Sequence, residues 1–275
     1  MKLWYQSMSR SAAWGHYHPV LRRIIDGVKD PGTEVTVHGI TQVGGVADQY
    51  RYLEYLESGE VMRNVVTAME QGYDAFLIGN IADPGLRECR EIADIPVLGL
   101  CETALHLASI MGASFSLVTL NEKFTARILE NVDRAGLRGR LAGTARMQMD
   151  RILDLKEGFT DPEARARILA QFQQAAAETV ERGAEVVIPA GGVAMALLAD
   201  AGIHDAGRGA PILNGITSLI KMGEMAVRMN RLMGGRFTSK RLAYAPPGED
   251  QIAEIRKHYG AVYPTVPGLT GGSTP

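Results

Sequence analysis

Cysteine is scarce in this 275-residue chain, with Cys89 and Cys101 the only two. So few thiols exclude a disulfide framework, and their spacing makes no CxxC-type metal site, so no metal is expected. Long apolar runs are missing too: none approaches the roughly 20 residues that cross a bilayer. The opening stretch MKLWYQSMSRSAAW lacks the uninterrupted apolar segment of a signal peptide, which predicts a cytoplasmic protein with no membrane partner. Blocks of like charge are absent, and the formal net charge is −2, leaving no footprint for nucleic acid. Neither GxGxxG nor GxxxxGK[ST] occurs, which argues against a nucleotide cofactor.

What is present is an ordinary globular composition, 46% apolar and 22% charged, in a chain long enough for one large domain or two of about 130 residues. Short apolar runs alternate with segments of helical period, the mark of βαβ units and a parallel sheet. Strands are predicted at Leu3 to Gln6, Glu34 to Ile40, Asp74 to Asn80, Pro96 to Leu100, Phe115 to Leu120, Glu185 to Pro189 and Pro211 to Asn214. Helices are predicted between them, at about His18 to Val28, Glu60 to Gln71, Thr103 to Met111, Asn121 to Ala135, Asp161 to Arg182, Gly192 to Ala201 and Gly215 to Met233. Asp83-Pro84 reads as a capped start for a further short helix. The Gly- and Arg-rich stretch from Leu137 to Thr160 reads as a crossover between halves, and the residues after Gly234 as an arm on the surface or on a partner subunit. The last six or so residues are expected to be disordered.

One internal similarity organises the rest. DAFLIGN, a short helix, PVLGL and a helix ending in Met-Gly (Asp74 to Gly112) recur as AEVVIPAGG, a short helix, PILNG and a helix containing Met222-Gly223 (Ala184 to Gly223). Two related halves explain this economically, with chance matching as the alternative. The division places residues 1–115 plus 216–233 in the first half, 116–215 in the second and 234–275 in the C-terminal arm.

In open parallel sheets, ligands bind beyond the carboxyl ends of the strands. Polar residues and glycines collect there: Gln6, Ser7 and Ser9, then Asn80, then Cys101 and Glu102, then Thr119 and Asn121, then Gly191 and Gly192. Hydroxyls, amides and backbone N–H groups at helix starts suit a carboxylate or similar anion. Each residue also has a plain reading: Ser9 and Asn121 as helix caps, the glycines as close-packing positions, Cys101 as a small buried hydrophobe. Glu102 is either a helix-start charge or a working acid/base. His16 and His18 can overhang the same mouth, or be solvated. His106 can share a face with Glu102, or sit in the core; His38, His204 and His258 have no ligand spacing. Tyr50 is a candidate lid, and Tyr52 and Tyr55 read as packing residues.

The stretch DPGLRECREIADIPVLGLCETALHLASIMG (Asp83 to Gly112) resembles the aspartate/glutamate/hydantoin racemase superfamily, as does PILNGITSLIKMGEMAV (Pro211 to Val227). The resemblance implies an α/β fold of two pseudo-symmetric flavodoxin-like halves, each a parallel sheet flanked by helices. It also implies a small substrate in the cleft between them and no cofactor. Racemases of this family place one cysteine at a strand end in each half, because inverting a stereocentre needs a base on one face and an acid on the other. Aligned on DPGL, the first cysteine position falls on Asn80, and the second falls at or next to Gly191. Both thiols are absent, and Cys101 ends a neighbouring strand. Gln6-Ser7-Met8-Ser9 replaces the family's frequent Asn-Pro-Asn-Thr-like loop.

The superfamily also resembles arylmalonate decarboxylases and maleate isomerases. By that analogy Ser9, Thr119, Asn121 and the N–H groups near Gly191 and Gly192 hold an oxyanion, with Asn80 near the reacting carbon. Proton transfer then falls to Glu102, Cys101, His16 or His18. The expected function is cofactor-independent isomerase, lyase, decarboxylase or ring-hydrolase chemistry on a small acid or cyclic ureide. The alternatives are a racemase or epimerase with other bases, and a catalytically silent small-acid-binding protein. The long arm suggests a homo-oligomer.

Overall fold

The computed structural model describes residues 1–46, 50–261 and 263–264. The terminal residues expected to be disordered lie outside them. In chain order the elements are β1 (Lys2–Gln6), α1 (Ser11–Trp14), α2 (Tyr17–Val28), β2 (Glu34–His38), α3 (Arg51–Glu70), β3 (Ala75–Ile78), α4 (Leu86–Ile92), β4 (Val97–Gly99) and α5 (Leu100–Met111). There follow β5 (Phe115–Thr119), α6 (Glu122–Arg134), β6 (Leu141–Arg146), α7 (Pro162–Glu181), β7 (Val186–Pro189), α8 (Gly192–Asp200), α9 (Gly215–Leu232) and α10 (Glu249–Tyr259).

Two all-parallel sheets form, in the orders β2-β1-β3-β4 and β6-β5-β7. Parallel strands covered on both faces are apolar without alternation. Accordingly every residue of β3 (AFLI), β5 (FSLVT) and β7 (VVIP) is buried. Each buried Leu, Ile or Phe side chain there contributes roughly 1.5–3 kcal/mol relative to exposure.

A parallel bridge from Ile212 to Val187 continues the second sheet, so the order of the first sheet repeats in the second. The predicted strand from Pro211 to Asn214 is reduced to that bridge, held by Val187 N–H donating to Pro211 O and Leu213 N–H donating to Val187 O. The recurring stretches thus fold to the same succession of elements. Their last helices exchange neighbours: α5 packs on β5 and β7, and α9 packs on β3 and β4. Gly223 makes that second contact close, since a Cβ there would stand 2.9 Å from Leu77.

Three expectations are corrected. Helix α3 starts at Arg51 rather than Glu60, because its buried positions begin only at Glu57, Glu60 and Val61, leaving two exposed turns without apolar period. The stretch 137–160 holds the edge strand β6 and a 3-10 helix (Ile152–Phe159). As an edge strand, β6 is mostly half-buried, so LAGTAR carries no apolar run. The stretch after Gly234 contains α10, and Lys240 donates to the carbonyls of Arg90 and Glu91 at the end of α4. Among the described residues no helix is long and apolar enough to cross a membrane.

The third correction concerns Asp83. Helix α4 begins two residues beyond Pro84, after Gly85 in the left-handed region at φ 68°. Asp83 is itself left-handed, at φ 50°, and its carboxylate accepts the N–H groups of Cys101 at 2.9 Å and Glu102 at 2.8 Å. It therefore caps α5 across the sheet instead of α4. Gly99 permits the approach, because a Cβ there would fall 2.5 Å from the carboxyl carbon.

Burial opposes ionisation of Asp83 more than these bonds favour it, and its pKa rises to about 7. A raised folded pKa contributes stability that is full below about pH 4 and is lost as pH rises through about 7. The stability advantage of the wild type over Asp83→Asn is therefore expected to shrink by roughly 2–3 kcal/mol between pH 5 and pH 8 in urea unfolding. A gap that does not change with pH contradicts this.

Candidate functional site

The carboxyl ends of the two sheets meet around a cavity of about 40 Å³. At 10–15 Å³ per water position it has room for about three water molecules. The first half contributes Ser7, Met8, Ser9, Tyr17, Gly79, Asn80 and Ile81, and the second half contributes Leu120, Phe124, Ile152, Leu155, Gly191, Gly192 and Val193. Among the described residues no Asp, Glu, Lys or Arg lines it. Asn80 and Gly191 occupy matching places, each two residues beyond the end of its strand, β3 and β7.

The polar wall is built on the loop after β1. Ser7 N–H donates to His38 O at 2.7 Å and Arg10 N–H to Gly45 O at 2.7 Å, pinning the loop to the one after β2. Gly39 allows this contact, since a Cβ there would lie 2.2 Å from Ser9 O. Held in this way, Ser7 Oγ stands 2.6 Å from Ser9 Oγ, and Ser9 Oγ stands 2.6 Å from His18 Nε2. His18 Nδ1 is 3.1 Å from Ser11 Oγ. With Nδ1–H donating to Ser11, Nε2 is free to accept the Ser9 proton. Burial, then the charge of Arg22, hold the His18 pKa below its ordinary value, so the imidazole is neutral near pH 7.

The opposite wall is different in kind. Its side chains are apolar, and its polarity is backbone: α8 begins at Gly191-Gly192, where no side chain caps it. No described residue accepts from the N–H groups of Gly192 or Val193. Uncapped N–H groups at a helix start favour a negative ligand. Asn80 Oδ1 accepts from Ala82 N–H at 2.8 Å, which fixes the amide at the cavity edge.

Of the residues that the sequence singles out, Ser7, Ser9, Asn80, Gly191 and Gly192 line the cavity, and His18 reaches it through Ser9. The others are elsewhere. Glu102 faces a separate hollow of about 420 Å³ between α3, α4, α5 and α6. It is paired there with Arg90, 3.1 Å from Nη1 to Oε1. Burial opposes its ionisation, but Arg90 prevails and holds it below the usual carboxylate range.

Cys101 is fully buried, and burial, then the charge of Asp83, raise its thiol pKa; Cys89 is buried likewise. Gln6 spends its amide inside the first half, on Trp4 Nε1, Asn64 Nδ2 and Ser7 O. His16 is exposed, and Tyr50 is 52% exposed under Lys123. Thr119 is buried against Thr125, and Asn121 caps α6 while donating to Met149 O and Asp150 O. Among the described residues no group of three or more His, Cys, Asp or Glu could hold a metal.

With this geometry in hand, comparison with known proteins is informative. A family model described as Asp/Glu/Hydantoin racemase matches residues 16–237. The chain belongs to that family. It is 31% identical over 219 residues to a hydantoin racemase of Pseudomonas sp. (strain NS671), covering 80% of this chain and 82% of that one. The fold is similar to that of allantoin racemase from Klebsiella pneumoniae, with a TM-score of 0.73 at 21% identity over 90% of this chain and 94% of the other. Allantoin racemase from Pseudomonas fluorescens gives 0.72 at 24% identity, over 90% and 97%. The racemase-family fold of two parallel sheets, expected from the sequence, is thereby established.

Sequence reasoning missed Tyr17 and the apolar lining. Ile152 and Leu155 lie in the stretch read as a crossover, where the 3-10 helix carries only a short apolar spacing. Tyr17 had a usable signal: it stands at the start of α2, between two histidines already placed near the mouth.

Two of the cleft glycines, Gly79 and Gly192, should respond differently to a methyl group. A Cβ on Gly79 would fall 2.2 Å from the buried ring of Tyr5, whereas one on Gly192 makes only an ordinary contact, 3.5 Å from Tyr17 Oη. Gly79→Ala is expected to lose about 1–3 kcal/mol by overpacking, and Gly192→Ala less than about 1 kcal/mol. Denaturant unfolding checks this, and equal losses contradict the packing described.

Proposed function

We propose that this protein is a single-base proton-transfer enzyme acting on a small carboxylic acid or cyclic ureide, in a family whose similar members include hydantoin racemases. The observation that carries this reading is the hydrogen-bonded run Ser7–Ser9–His18 on one wall, facing a wall that has no side chain able to carry a proton. Two-sided racemisation needs an acid and a base on opposite faces of the carbon. Here the base is His18, acting through Ser9, and the anionic group of the substrate rests on the N–H groups at the start of α8. Such a site suits isomerase, lyase or decarboxylase chemistry through an enolate, and no step requires a cofactor. A second reading, ring hydrolysis of a ureide, is favoured by the 2.6 Å contact of Ser9 with His18, which is the arrangement of an activated hydroxyl nucleophile.

The test is incubation with 5-methylhydantoin, methylmalonate and alanine in deuterated water, followed by NMR and mass spectrometry. Wild type is expected to exchange or lose the Cα hydrogen of at least one of them. His18→Gln is expected to be slower by about a hundredfold to ten-thousandfold, and Cys101→Ala to stay within a few-fold. Because protonation removes the acceptor on His18, the rate is expected to fall on the acid side with a midpoint below 6.5, the ordinary histidine value. A product of added water mass supports the hydrolytic reading. Saturable binding without turnover, or loss of activity in Cys101→Ala, overturns the proposal.

A further inference from the structure

Two buried phenols meet at the junction of the halves, and neither has a hydrogen-bond partner among the described residues. Tyr17 is 3% exposed, and its ring is held by Trp14 at 5.9 Å in an edge contact and by Phe159 at 5.8 Å. Its hydroxyl lines the cavity side of α8, 3.5 Å from where a Cβ of Gly192 would stand. Tyr5 lies behind it, fully buried, with its own hydroxyl unpartnered and pressed against Gly79. A Cβ on Gly192 would also stand 3.7 Å from Gly79 O, so the glycines of the two halves face each other beside the two phenols.

The Tyr5 hydroxyl is closed off without a partner, which costs about 1–3 kcal/mol, whereas the Tyr17 hydroxyl opens on the cavity. An unpaired hydroxyl on the cavity, next to an uncapped helix start, marks a place for an electron-rich oxygen. Burial raises the pKa of Tyr17, so the phenol keeps its proton and acts as a donor. Packing against Trp14 and Phe159 fixes its direction in advance, the condition under which a donor stabilises developing charge most.

Resting on the single-base reading above, we propose that Tyr17 is a catalytic residue: its O–H donates to the carbonyl oxygen of the substrate as that oxygen becomes an enolate. In the step, the Cα–H bond breaks and its proton passes to Ser9 Oγ while the Ser9 hydroxyl proton passes to His18 Nε2. The electron pair of that bond forms the C=C of the enolate, and the carbonyl π pair moves onto oxygen, where Tyr17 meets it. Collapse of the enolate restores the carbonyl and returns a proton to carbon from Ser9, leaving His18 neutral. The apolar wall of Leu120, Phe124 and Leu155 excludes water from the opposite face.

The experiment is Tyr17→Phe, which keeps the ring and its packing and removes only the hydroxyl. Rates of Cα hydrogen exchange in deuterated water are measured with 5-methylhydantoin and methylmalonate, and affinity for the same probes by calorimetry. The expected result is a fall of about a hundredfold or more in kcat with KM and Kd changed less than fivefold, since one oxyanion donor is worth about 10²–10³ in rate. Site-specific 3-fluorotyrosine, which restores the hydroxyl, is expected to recover most of the rate. Tyr17→Phe with a wild-type kcat overturns the proposal, as does a loss that fluorotyrosine fails to rescue. Cα exchange that Tyr17→Phe slows but His18→Gln leaves unchanged overturns the single-base reading alone. A wild type that exchanges neither these probes nor alanine, whether or not it binds them, overturns both.

Discussion

A parallel sheet buries both faces, so the only part of it that can meet a ligand is the edge where its strands end, and here two such edges close on each other. That constraint decides what each cleft residue can be. Gly79 must be glycine because Tyr5 fills the space beside it, and Gly39 because the loop carrying Ser9 passes within contact distance of its backbone. The chain that follows β1 is held in place by these contacts. Ser7 and Ser9 thus face the cavity, with His18 behind them.

The consequence is a cleft that is symmetric in backbone and asymmetric in chemistry. Matching positions beyond β3 and β7 carry Asn80 and Gly191, neither of which titrates. Among the described residues, the proton-carrying groups at the cavity, Ser7, Ser9, His18 and Tyr17, come from the first half, and the second half supplies apolar side chains and helix-start N–H groups. Charge is kept away: Asp83, three residues beyond Asn80, is committed to capping α5, and Glu102, an acid/base candidate of the sequence, to pairing with Arg90. The salt-bridged hollow beyond them, where Arg127 joins Glu54 of α3 and the carbonyl of Ala82, fastens α6 to the first half.

Much of this was legible in the sequence, and the limits have physical causes. Buried parallel strands such as AFLI and VVIP announce themselves because both faces are apolar. The edge strand β6 does not, because one side of it is open and LAGTAR is half-buried. Asp83-Pro84 has the local marks of a helix start. Only the fold brings Gly99 close enough for the Asp83 carboxylate to cap a different helix. At the site, strand-end positions located Ser7, Ser9, Asn80, Gly191 and Gly192. The same rule also selected Thr119, Asn121, Glu102 and Cys101, whose side chains turn away to satisfy caps, ion pairs or the core. Side-chain direction is settled by tertiary partners that no local pattern records, so the two histidines mark the neighbourhood of Tyr17 but not the direction of its hydroxyl.

The central claim is that protons enter and leave the substrate from one face only. It is tested most directly by following optical rotation and Cα deuterium content together, starting from one enantiomer of 5-methylhydantoin in deuterated water. One-sided transfer through Ser9 and His18 predicts that deuterium enters the starting enantiomer much faster than rotation is lost. The opposite pattern, in which every inverted molecule carries one deuterium while the remaining starting enantiomer stays unlabelled, requires a second base across the cleft and contradicts it.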